Sequence, residues 1–129
     1  MIRVGQTFFI PTGGKEHLFF VVLGPLDLED SPKQQFLLVN ATTVRENDPQ
    51  FDDSCVLQVG DHPFIKHASY IAYRSARLEA ARHIESVLGT VFRPGEDCSK
   101  EVLQRIIEGA KKSRRLRRDL KDLFCKIPL

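Results

Sequence analysis

The 129-residue sequence predicts an α+β fold, a small antiparallel β-barrel or bent sheet of about five strands followed by two or three helices. Three observations carry this. Up to Tyr73, short apolar runs alternate with Gly, Pro, Asn and Asp clusters at near-regular spacing, as strands and turns do. From Ala76 onward the apolar residues recur at helical spacing. The composition, 42% hydrophobic and 28% charged with nine Phe and no Trp, is that of one globular domain, and no apolar run approaches the roughly 20 residues of a membrane span.

Residues 4–11 read as the first strand, with Phe8 and Ile10 on one face and Phe9 on the other. Gly13 and Gly14 then supply the backbone freedom of a turn. Residues 18–23, LFFVVL, are apolar throughout, which predicts a strand covered on both faces and ended by Gly24-Pro25. After a polar loop at 27–33, residues 35–44 form a third strand that turns polar at Asn40, so its end should open to solvent. A second polar loop spans 45–53. Residues 55–59 and 69–73 are the fourth and fifth strands, and Tyr70 and Tyr73, three apart, point to opposite faces, so at most one can stack on a base.

Residues 76–88 read as a helix with Ala80, Ile84, Val87 and Leu88 on one face and Gly89 as its C-terminal cap. Pro94-Gly95 marks a loop. Ser99 caps a helix whose stripe is Val102, Leu103, Ile106, Ile107 and Ala110. Leu116, Leu120, Leu123, Phe124 and Ile127 continue a helical stripe, either in one long helix or after a break at 109–113.

The net charge of +2 hides an asymmetry: residues 100–129 hold ten of the 19 Lys and Arg but four of the 17 Asp and Glu. The densest run is Lys111, Lys112, Arg114, Arg115, Arg117 and Arg118. Cations that meet phosphates release counterions and give affinity without sequence readout, so this run suits nucleic acid. It suits equally an acidic partner or the chain's own acidic body. The opening residues carry no apolar secretory segment, and the odd, scattered Cys55, Cys98 and Cys125 fit reduced thiols, so a cytoplasmic, membrane-free chain is expected.

The densest polar stretch is GDHPFIKH at 60–67. Two imidazoles, His62 and His67, can act as general base and general acid near neutral pH. With Lys66 on the phosphate, they suit RNA cleavage through the 2′-hydroxyl without a metal. The competing reading is a structural turn in which Asp61 caps backbone amides, His62 hydrogen-bonds Asp61, and Pro63, Phe64 and Ile65 plug the end of the sheet. A zinc site from His62, His67 and Cys55 or Asp61 lacks its second ligand pair, so neither metal nor cofactor is expected. Asn40, Thr42 and Thr43 stand where the third strand turns polar and suit either a phosphate or ordinary strand filling. His17, opening the second strand after a flexible turn, reaches such a site only if the barrel closes that way.

The first third of the chain resembles the MazF/PemK family, toxins of bacterial toxin–antitoxin modules built on an SH3-like barrel. The resemblance lies in VGQTFFIP at 4–11, HLFFVVLGP at 17–25 and LVNATT at 38–43. It implies an SH3-like barrel, an RNA substrate and a catalytic Thr at Thr42. The family's catalytic Arg falls on Leu18, leaving that role unfilled, and the histidine-bearing turn and basic tail are additions to the pattern. The function expected is therefore a toxin-like, metal-independent endoribonuclease of a toxin–antitoxin or phage-defence kind. His62 and His67 would be its acid–base pair, with Lys66 and Thr42 on the phosphate. RNA, an acidic antitoxin protein or a second copy of the chain would be its partners. The alternative is a non-catalytic binding module that uses the basic helices.

Overall fold

The computed structural model describes residues 2–27 and 34–125, without the side chain of Cys125. Seven strands form one antiparallel sheet: β1 (Thr7–Thr12), β2 (Lys15–Leu26), β3 (Gln35–Thr43), β4 (Val56–Leu57), β5 (Ser69–Ile71), β6 (Arg77–Ala80) and β7 (Arg93–Pro94). The helices are α1 (Ala81–Val87), α2 (Lys100–Lys112) and α3 (Arg118–Cys125), and a single 3-10 turn spans Tyr73–Ser75.

The sheet runs β4-β5-β3-β2-β1-β7, and β6 also pairs with β3. Two short strands thus share one edge of β3: β6 takes its first half (Leu37↔Leu78) and β5 its second (Thr42↔Tyr70). Register shifts opposite Val21 and Leu23 bend the β2–β3 ladder, as bulges do. Among the described residues no pairing joins β4 to β7, so where a barrel or bent sheet of about five strands was expected the structure has an open sheet of seven, and no closed barrel.

Both faces of β2 are covered. Leu18, Phe20 and Val22 pack with Ile106, Leu120 and Phe124 of α2 and α3, while Phe19 and Val21 pack with Phe8, Leu38, Phe92 and the α1 residue Ile84. Each such fully buried side chain contributes about 1.5–3 kcal/mol. This is the two-sided burial expected of residues 18–23.

The helical half departs from expectation in two places. Residues 77–80 pair with β3 instead of opening the helix, because that edge offers the backbone a ladder. Only Ala81–Val87 remain helical; Leu88 caps them, and Gly89 follows at φ +90°. Downstream, Ser99 Oγ accepts from the Val102 amide at 3.1 Å, the expected cap. The chain leaves the helix at Ser113, with ψ 133°, and resumes at Arg118, so there are two helices broken at 113–117. Ile127 and most of the 27–33 loop lie outside the described residues. No helix among the described residues is long and apolar enough to cross a membrane.

Candidate functional site

The turn between β4 and β5 divides its polar residues between two tasks. Asp61 Oδ2 accepts from the Gln58 amide at 2.7 Å, and Asp61 Oδ1 pairs with Arg105 at 3.2 Å. His62 is 2% exposed; its Nε2 donates to the Glu96 carbonyl at 2.6 Å and its Nδ1 accepts from the Phe64 amide at 3.2 Å. Both ring nitrogens are thereby used inside the fold. Ile65 is buried, and Phe64 packs edge-on against Phe9 with ring centroids 4.9 Å apart. The turn then surfaces, leaving Lys66 and His67 exposed.

Lys66 and His67 form one wall of a cleft of about 490 Å³. The second wall is the β1–β2 hairpin, with Phe9, Lys15 and His17, and the third is the end of β3, with Thr42, Thr43 and Arg45. His17, from the hairpin, and Thr42, from β3, line the same cleft. The structure thus brings together Thr42, Lys66 and His67 and separates His62 from them. An acid–base pair made of His62 and His67 is corrected on this point: one imidazole is in the core and the other is on the cleft.

Electrostatics favour an anion. Lys15, Arg45 and Lys66 make no side-chain ion pair or hydrogen bond among the described residues. Among the described residues Glu16 is the one acid on the walls, and Arg93 takes it up at 2.9 Å, a hydrogen bond that holds its carboxyl below the ordinary carboxylate range. The Thr42 hydroxyl accepts from Asn40 Nδ2 at 3.3 Å, which leaves its own hydrogen free to donate into the cleft. Sequence reasoning had no cause to select Lys15 and Arg45. Their only signal was position, each beside a strand end whose neighbours carried polar candidates.

A second cleft, of about 380 Å³, shares His17 and Thr42 with the first and adds Asn40, Arg74 and Arg77. Among the described residues no acidic side chain lines it. The basic run lies elsewhere, at the corner between α2 and α3. Lys111 and Lys112 finish α2, Arg114, Arg115 and Arg117 lie in the corner, and Arg118 opens α3. Arg115 donates to the Pro49 carbonyl at 3.0 Å and Arg117 pairs with Asp119 at 3.3 Å; Lys111, Lys112, Arg114 and Arg118 make no such contact among the described residues. The charge is therefore a patch at a corner rather than a belt around one helix.

No family model and no curated protein matches this sequence. What the clefts can do follows from their own chemistry. Three unpaired cations and the hydroxyls of Thr42 and Thr43 suit a phosphodiester, and His17 with His67 adds two groups able to move protons. Tyr70 and Tyr73 take no part: both are buried, donating to Asp48 and to the Ile106 carbonyl at 2.7 Å each. Among the described residues no three His, Cys, Asp or Glu side chains gather as metal ligands.

Proposed function

We propose that the chain is a toxin-like, metal-independent endoribonuclease whose active cleft lies between the β1–β2 hairpin, the end of β3 and the 62–68 turn. The observation that carries this reading is the convergence of His17, His67, Thr42, Arg45 and Lys66 on one cleft whose single carboxylate among the described residues, Glu16, is already paired. One imidazole takes the proton of the substrate 2′-hydroxyl, and the 2′-oxygen attacks phosphorus. The bond to the 5′-oxygen breaks, and the other imidazole protonates that oxygen, giving a 2′,3′-cyclic phosphate and a 5′-hydroxyl. Lys66, Arg45 and the Thr42 hydroxyl hold the phosphate oxygens as charge builds on them.

The resemblance of residues 4–45 to the MazF/PemK toxins supports this context, and the bent sheet is read as an opened form of their SH3-like barrel. Arg45 then supplies the guanidinium missing at Leu18. The unpaired cations at the α2–α3 corner offer a surface for an acidic antitoxin protein or for the RNA backbone. Those same cations favour the alternative, a non-catalytic nucleic-acid-binding module.

Growth after induced expression separates the two. A catalytic toxin arrests growth, and His67→Ala relieves the arrest at equal soluble protein. Arrest that survives His67→Ala but is lost with Arg114→Ala/Arg118→Ala supports the binding module instead.

A further inference from the structure

Two residues that line the second cleft each carry a buried polar atom without a partner among the described residues, Asn40 Oδ1 and Arg77 Nε. Asn40 is 7% exposed, and its other amide atom is committed to Thr42. Arg77 is held from two sides. Its Nη2 pairs with Glu79 at 3.1 Å, and its guanidinium lies over the Phe19 ring, 5.0 Å from the centroid. One lone acceptor and one lone donor thus sit, covered, on residues lining the same cleft, which shares His17 and Thr42 with the proposed phosphate site.

A phosphate answers only half of this pair, since it has no hydrogen for an amide oxygen. The edge of an unpaired nucleobase answers both, because each base carries a donor beside an acceptor. Side-chain polar groups left unmet in a fold are costly, so small rotations of Asn40 and Arg77 towards a ring restore hydrogen bonds that the protein alone does not make. The exposed Arg74, on the rim, suits the next phosphate along the strand.

We infer that this second cleft is a nucleobase subsite, in which Asn40 and Arg77 read the base next to the phosphate held by Lys66 and Arg45. The inference rests on the RNA reading of the first cleft and adds selectivity to it. Thr42, touched by Asn40 on one side and facing the phosphate cleft on the other, couples the two.

The test uses fluorescein-labelled, 2′-O-methylated hexamers of A, C, G or U, which resist cleavage, and an abasic hexamer of equal charge. The intact chain should bind at least one base-bearing hexamer about tenfold more tightly than the abasic one. Asn40→Ala should bring that ratio close to one, and so should Arg77→Lys, which keeps the charge and guards against a variant that misfolds. A preference that survives both substitutions overturns the subsite and leaves the phosphate cleft standing. Equal binding of abasic and base-bearing hexamers by the intact chain does the same. Binding of no hexamer overturns both proposals together.

Discussion

His62 Nε2 sits 2.6 Å from the carbonyl oxygen of Glu96, a residue 34 positions further along the chain. That contact, with the Phe64 amide on Nδ1, ties the 62–68 turn to the segment entering α2 and holds the exposed end of the turn over the cleft. His62→Ala removes two hydrogen bonds, leaves the Phe64 amide unmet and opens space beside Phe20, so it should cost about 2–4 kcal/mol in urea unfolding. His67→Ala, on the surface, should change stability by less than about 0.5 kcal/mol. Equal stability losses from the two variants would contradict the division of labour.

A second prediction concerns acid. The buried Ser113 hydroxyl donates to Asp52 Oδ2 at 2.6 Å, fastening the helix break to the loop before β4. Burial pushes the Asp52 carboxyl up, but hydrogen bonds from Ser113 and Ser54 outweigh it and hold the group below its ordinary value. A carboxyl depressed in the folded state stabilises the fold above its unfolded value, about 4, and that contribution is lost as pH falls through the folded value. Ser113→Ala should cost about 1–3 kcal/mol at neutral pH and flatten the acid limb of the stability profile. An unchanged acid limb would show that the bond does not tune Asp52.

Close packing gives a third. A Cβ on Gly109 would meet the Tyr73 hydroxyl and lie 2.8 Å from the Ser54 carbonyl oxygen and 2.9 Å from Cys55 Cβ. Gly109→Ala should therefore destabilise by about 1–3 kcal/mol, despite the better helix propensity of Ala. Thermal unfolding reads this directly, and a rise in Tm would contradict it.

Much of the fold was legible in the sequence, and the unread parts share a cause. The unbroken apolarity of residues 18–23 announced a strand covered twice, and Ser99 announced the start of α2, because both signals are local. Residues 77–80 were misread because their pattern fits a helix as well as a strand, and the free edge of β3 decided between them. Barrel closure was not legible, since it depends on how the bulged β2–β3 ladder bends and on which half of β3 each short strand takes. His62 and His67 look alike in GDHPFIKH. The distant Glu96 carbonyl, together with the Phe64 amide, makes one structural, and the hairpin carrying His17 gives the other a companion.

Electrostatics supply a fourth prediction. If Lys15, Arg45 and Lys66 meet phosphates, each substitution to Ala should lower the slope of log Kd against log salt for single-stranded RNA by about 0.7. Substituting Arg117, already paired with Asp119 at 3.3 Å, should change that slope less. A slope that responds only to the α2–α3 corner would move RNA binding away from the cleft.

The most direct test of the central claim is cleavage of a short single-stranded RNA by the purified chain in a buffer with a metal chelator. The cleft chemistry predicts products ending in a 2′,3′-cyclic phosphate and a 5′-hydroxyl, and a rate that falls by at least about 100-fold in His67→Ala. Cleavage that requires a divalent metal, or that His67→Ala leaves intact, would contradict it.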